Sequence, residues 1–239
     1  MTAFTDILQE KGQQAGFVFT PKQLEQFDLY YELLIETNKV MNLTTLTEPE
    51  DVAVKHIIDS LMAYDADYFP GNTLADVGTG AGFPGVPLKI YCPQVKVVLL
   101  DALAKRLRFL QQVIDRLELK DISCVHLRAE DAGRAAAHRE KYDLVTSRAV
   151  AGLAVLAEYC LPLVKVGGRM IALKGAKYQE EIAAAKKALP QLGGKLVKAK
   201  RVALPGIDDG RAIVIINKVS KTPAQYPRKA GVPEKQPLA

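Results

Sequence analysis

Residues 74–85, LADVGTGAGFPG, decide how the chain is read. An apolar lead-in reaches Asp76, glycines stand at 78, 80 and 82, and Pro84 and Gly85 open what comes next. A strand that feeds a glycine-rich turn and then a helix is the first unit of an open α/β sheet. In such sheets ligands sit beyond the carboxyl ends of the strands. Glycine accepts φ > 0 and lets a ligand come close to the main chain, and proline is pre-set for entry into a helix.

Three ligand readings compete. Gly80, Gly82 and Gly85 satisfy the GxGxxG spacing of dinucleotide-binding loops, although a lone match of this kind is weak. A tight strand-to-helix turn with no ligand is the second. The third follows from two acids. Asp76, two residues before Gly78, puts a carboxylate at the mouth of the loop, where it repels a pyrophosphate and favours an amino or sulfonium cation. Asp101, near the end of VKVVLLDA (95–102), holds the place of an acid that accepts hydrogen bonds from two ribose hydroxyls. Together they point to S-adenosyl-L-methionine, whose methionine end carries an ammonium, a carboxylate and a reactive sulfonium.

Around the loop, β and helical patterns alternate: TLADVG, a helix from Pro84, VKVVLLDA, a helix over 103–118, ISCVHLRAE, YDLVTSRAV, a helix over 152–160, GRMIALKG and a helix over 178–189. Such alternation implies a parallel sheet with helices on both faces, because parallel neighbours need a long crossover. GGKLVKAKRVALP and GRAIVIINKV, joined through GIDDG, read as an antiparallel pair on one sheet edge. The fold expected is therefore α/β and Rossmann-like, a seven-stranded, mostly parallel sheet with an antiparallel edge strand. Ahead of it, residues 1–70 form a small helical cap. It contains a helix over 21–37 with Thr20 as N-cap and Pro21 in its first position, and a second running from Glu48 toward Phe69. The main domain spans 71–220. Residues 221–239, with four prolines in nineteen residues, are expected to be a loosely ordered basic extension.

Composition narrows the function. With 49% hydrophobic and 25% charged residues the 239-residue chain is ordinarily globular, and no run is apolar enough for a membrane span. Its start lacks a secretory pattern, so it is expected to stay in the cytoplasm. Three scattered cysteines and three scattered histidines give neither a disulfide framework nor a metal-ligand cluster. The net charge of +5 hides a division: residues 1–70 carry 4 basic and 12 acidic side chains, residues 160–239 carry 16 and 5. A polyanion would land on the basic half, unless those lysines are simply a solvated face.

Six ordered blocks carry a family resemblance: NKVMNLTTLTEPEDVAVKHIIDSL, DVGTGAGFPGVPLKI, DALAKRLRFLQQV, RAEDAG, YDLVTSRAVAGLAVLAEYCLPLVKVGG and YPRKAGVPEKQPL. The chain resembles the glucose-inhibited division protein B family from about residue 20 to its tail. The resemblance implies a class I S-adenosylmethionine-dependent methyltransferase fold. It also implies methylation of N7 of a guanine in 16S ribosomal RNA, either as RNA or as the small-subunit particle, with no obligate protein partner and no metal. By the same resemblance Gly78 and Phe83 are cofactor contacts, Ala129 and Glu130 meet the adenine region, and Arg148 belongs to the site. Gly80, Asp76 and Asp101 complete the expected cofactor set.

Some roles stay open on the residues alone. Glu130 could reach the adenine edge or serve as an acid at a helix N-terminus. Arg148, at the end of the fourth strand, could position the substrate by bonding guanine O6 or a phosphate, hold the site's carboxylates, or be an ordinary ion pair. Asn38, Asn42, Lys55, His56 and Asp59 are placed along the open side of the pocket. His56 is assigned a hydrogen-bonded structural part, not that of a base. Against the methyltransferase stand an enzyme acting on another nucleic acid or a protein, an RNA-binding module with a relic pocket, and an NAD-dependent oxidoreductase.

Overall fold

The computed structural model describes residues 2–238. Its first three helical segments are α1 (Ala3–Gln14), α2 (Pro21–Met41) and a third that begins as α3 (Pro49–Asp51), widens into a π-helix over Val52–Ile58 and ends as α4 (Asp59–Leu61). Thr20 and Gln23 close a capping box on α2, with Pro21 in its first turn, as the sequence implied. The other helix stops well short of Phe69. Asp65 draws the chain into a turn there, its carboxylate accepting from Asp67 N and its carbonyl from Tyr68 N and Phe69 N. Helix α1 was not anticipated; Thr2 caps it, and Phe4 and Leu8 are buried.

Beyond the cap follow β1 (Thr73–Val77), α5 (Gly85–Tyr91), β2 (Lys96–Asp101), α6 (Ala104–Arg116), β3 (Ile122–His126), α7 (Ala129–Arg134), β4 (Tyr142–Arg148) and α8 (Leu153–Cys160). Then come β5 (Val164–Lys174), α9 (Tyr178–Ala184), α10 (Ala188–Gln191), β6 (Gly194–Arg201), β7 (Ala212–Lys218) and α11 (Val232–Lys235). The seven strands lie in the order β3-β2-β1-β4-β5-β7-β6. The first five are mutually parallel, and β7 enters antiparallel between β5 and β6, so the antiparallel pairing sits at one edge. Strand order turns back between β1 and β4, which opens a crevice at their carboxyl ends.

The period-2 alternation of the strands divides the core. Leu74, Val97 and Leu99 face one side and Ala75, Val77 and Leu100 the other. On the first side Leu8, Phe27, Leu34 and Ile57 of the cap join Leu99 and Leu110 in one continuous cluster, so the cap is a layer of the domain. Burying each such side chain contributes about 1.5–3 kcal/mol. The second side is covered mainly by α8. No helix among the described residues is long and apolar enough to cross a membrane.

The C-terminal segment departs from expectation. It is not a loose extension but a strap packed along the α8 side, with Thr222, Tyr226, Pro227 and Pro233 buried. Polar anchors hold it, which is why its low apolar content misled the reading. Arg228 forks onto the fully buried Glu158, and Arg139 donates to the carbonyls of Thr222 and Tyr226.

Candidate functional site

A cavity of about 510 Å³ lies in the crevice, within the size range of small-molecule sites. Seven of the eight residues assigned to the site from sequence line it: Gly78, Gly80, Phe83, Asp101, Ala129, Glu130 and Arg148. Gly78 sits at φ +69°, and a Cβ there would come within 2.6 Å of Val150 Cγ2, so a side chain closes the approach. Asp101 Oδ2 accepts from Gly80 N at 2.9 Å and Oδ1 from Leu103 N at 2.8 Å, pinning the loop to the end of β2. A carboxylate offers about four lone-pair sites. Asp101 therefore keeps accepting capacity for ligand hydroxyls.

Asp76 is the exception. It does not stand at the loop's mouth but lies beneath it, fully buried, with Oδ2 accepting from Thr79 Oγ1 at 2.7 Å and Gly85 N at 2.9 Å. Gly85 lets the loop fold tightly over it, since a Cβ there would lie 2.8 Å from Asp76 Oδ2. Burial raises its carboxyl to about 6 against the opposing pull of these bonds. At neutral pH it is therefore largely ionised, and its Oδ1 is buried without a partner. A negative charge behind the loop, with one oxygen left without a partner, suits a cationic ligand, although the contact is through space and not direct.

The cap supplies the opposite wall. Tyr30 on α2 donates to Ala81 O at 2.5 Å from a fully buried position and fastens the loop to the cap. His56, on the π-helical turn, stacks on Phe83 with centroids 4.5 Å apart, and Arg148 lies over the same ring at 5.0 Å. Arg148 Nη1 donates to Asp59 Oδ2 at 2.7 Å and Lys55 O at 3.1 Å, and Nη2 approaches His56 Nδ1 at 3.3 Å. Because arginine can only donate, that nitrogen accepts, and Nε2 carries the proton toward Thr44 Oγ1 at 2.8 Å. Burial first, then Arg148, lowers His56 to about 4, so it is neutral at physiological pH.

Among the cap residues placed along the open side, only His56 lines this cavity. Lys55 and Asp59 line a second one of about 530 Å³ that shares His56, Arg148 and Ala149 with the first. Asn38 accepts from Thr44 N, and Asn42 ends α2 in the left-handed conformation. Both shape the turn.

A sequence model of the family described as rRNA small subunit methyltransferase G matches residues 23–205. A relative from Lactobacillus johnsonii named ribosomal RNA small subunit methyltransferase G is 48% identical over 98% of this chain and 99% of its own length. Another of that name, from Desulforamulus reducens, is 49% identical over the whole of both chains. The chain belongs to this methyltransferase family. Solved structures agree at the level of fold. A fibrillarin pre-rRNA processing protein from Methanococcus jannaschii superposes with a TM-score of 0.54 at 15% identity, covering 69% of this chain and 74% of that one. A fibrillarin from Aeropyrum pernix, solved with natively bound S-adenosyl-L-methionine, gives 0.51 at 14%, covering 66% and 72%.

The cavity fits the family's chemistry. The glycine loop leaves main chain accessible, Asp101 has acceptor capacity at the end of β2, and Asp76 keeps one buried oxygen, Oδ1, without a partner behind the loop. Sequence reasoning missed Thr44, Tyr159, Arg211, Gly231 and Glu234. Arg211 matters because its Nη1 holds the second oxygen of Asp59 at 2.7 Å, so Asp59 is clamped between two arginines. Its position just after GIDDG was a signal, since a turn between paired strands brings its ends to the sheet's rim. Gly231 and Glu234 were passed over because the tail was taken as loose.

Proposed function

We propose that this chain transfers a methyl group from S-adenosyl-L-methionine to N7 of a guanine in 16S ribosomal RNA of the small subunit. The observation that carries the reading is identity of 48–49% across essentially the whole length with relatives named for methylation of small-subunit ribosomal RNA. The cavity supports it through Gly78, Gly80, Phe83, Asp101, Ala129, Glu130 and Arg148, with Asp76 acting from beneath the loop. When bound, the cofactor supplies an electrophilic methyl group on a sulfonium.

In this reading the second cavity seats the guanine. It meets the first at His56, Arg148 and Ala149, and Lys55, Lys174 and Arg211 stand on its walls. Guanine N7 has an in-plane lone pair and no proton to lose. As its bond to carbon forms, the sulfur–carbon bond breaks with its electrons left on sulfur; the base becomes cationic and the donor a neutral thioether. The protein's work is therefore alignment. Arg148 does this as a fixed wall: Asp59 and Lys55 O hold one nitrogen and His56 abuts the other, so its reach toward a base is set by the clamp. Neutral His56 takes no proton.

Methyl-labelled cofactor mixed with the protein and with small-subunit RNA, either free or as the particle, tests this. Label entering RNA of the small subunit supports it. Label confined to large-subunit RNA, transfer RNA or protein rejects it.

A further inference from the structure

We propose that the C-terminal strap, residues 222–238, is part of the cofactor site and closes the adenine end of the cavity by capturing Glu130. The inference rests on the S-adenosylmethionine reading of that cavity and assigns a wall to it. Asp101 marks the ribose position at the end of β2. Ala129 and Glu130 follow the outer neighbour, β3, and so lie at the far, adenine end. There Gly231 and Glu234 of the strap join the lining, beside Tyr159. Gly231 N donates to Glu130 Oε1 at 2.9 Å, the one hydrogen bond found for that carboxylate among the described residues. Gly231 takes φ +79° to do so, a conformation suited to glycine.

The strap is built to stay in place. At its start the buried Lys218 donates to Thr222 Oγ1 at 2.5 Å, and Thr222 passes a bond to Leu192 O at 2.7 Å. Arg134 Nε reaches Pro227 O at 2.8 Å, and Gly133 admits the Pro227 ring where a Cβ would lie 2.8 Å from its Cγ. Arg228 gives Glu158 three donors, its backbone N at 2.7 Å, Nε at 2.9 Å and Nη2 at 2.7 Å. Glu158 is fully buried, so it relies on Arg228 for compensation. These anchors deliver residues 231–234 to the cavity rim. Glu158 and Tyr159 are successive residues of α8, so the anchor of the strap and the wall it completes sit on one rigid element. Arg228 is consequently a site-building residue and not a free cation for RNA.

A chain ended after Ala230 keeps the Arg228–Glu158 anchor and removes the Gly231 donor and the Glu234 wall. Calorimetry with S-adenosylhomocysteine and, separately, adenosine reads the effect. Affinity for both should fall by the same factor, on the order of tenfold or more, because the lost contact orients a carboxylate at the adenine end. The melting temperature of the unliganded protein should change by less than about 3 °C. In the intact protein, saturating S-adenosylhomocysteine should slow tryptic cleavage after the exposed Lys229 and Lys235. Equal affinity in the shortened and intact chains overturns the proposal, and so does loss for S-adenosylhomocysteine without loss for adenosine. Should the shortened chain fail to fold, unchanged cleavage of the intact protein with and without ligand overturns it instead. An intact protein that binds neither compound removes the reading of the cavity itself, a result distinct from failure of the strap.

Discussion

Replacing Asp59 by alanine tests how the cap and the sheet are locked together at the site. Its carboxylate accepts from Arg148 and Arg211 at 2.7 Å each, with its own side chain 11% exposed and theirs 15% and 18%. A hydrogen bond to a charged group contributes roughly 1.5–3 kcal/mol, and stripping one partner from a buried pair costs about 3–5 kcal/mol. Both arginines border cavities, and Arg211 also pairs with Asp209, so the lower part of that range applies. The expected loss is about 2–4 kcal/mol, or roughly 5–15 °C in melting temperature for a chain of this size. Urea unfolding followed by tyrosine emission suits a chain with nine tyrosines and no tryptophan. Released from Asp59, Arg148 would also lose its alignment, and single-turnover methyl transfer should fall on the order of 30-fold or more. The double variant Asp59→Ala/Arg211→Ala should lose clearly less than the sum of the single variants, by about 1 kcal/mol or more. Asp59→Ala with unchanged unfolding and a rate within about twofold of the parent would refute the clamp.

Arg148→Ala should reduce the single-turnover rate on the order of 10²-fold, and Arg148→Lys should not restore it, because an ammonium cannot span Asp59, Lys55 O and the Phe83 face together. Rates compared under saturating cofactor decide this. That rate should be flat from about pH 7 to pH 9, since His56 is neutral and Asp76 largely ionised there and N7 attack releases no proton; a tenfold rise per pH unit that disappears in His56→Ala would overturn it. Because folding lowers His56 to about 4, the unfolded chain takes up its proton first as pH falls below about 6.5. Parental stability relative to His56→Gln should then drop by up to roughly 3 kcal/mol by pH 4, read by urea titration. Gly78→Val should abolish detectable S-adenosylhomocysteine binding by calorimetry, because the side chain strikes Val150 and φ +69° opposes it.

Much of this was legible because alternation and glycine spacing are local signals. The loop over 74–85, the place of Asp101 at the end of β2 and the pairing of β6 with β7 all follow from short patterns. What depended on where chains meet was not legible. Asp76 reads as a loop-mouth acid until the fold shows Thr79 and Gly85 bending over it. For Arg148 the sequence offers substrate positioning, a hold on the site's carboxylates or an ordinary ion pair, and only the fold shows that Asp59, 89 positions earlier, takes its Nη1. The strap reads as a loosely ordered extension because its anchors, Arg139, Glu158 and Glu130, lie 70 or more residues upstream and are polar, so no apolar periodicity announces them. Helix α1 escaped for a milder reason: only Phe4 and Leu8 are large buried apolar residues in its twelve.

The central claim is the atom that receives the methyl group. Small-subunit RNA and small-subunit particles from cells lacking the activity, treated with the protein and methyl-labelled S-adenosylmethionine, should yield labelled 7-methylguanosine on complete digestion. Chemical cleavage specific for N7-methylated guanine should cut the 16S chain at a single new position. Label recovered at guanine N1 or N2, on another base, on ribose, or in no small-subunit RNA at all would contradict the account.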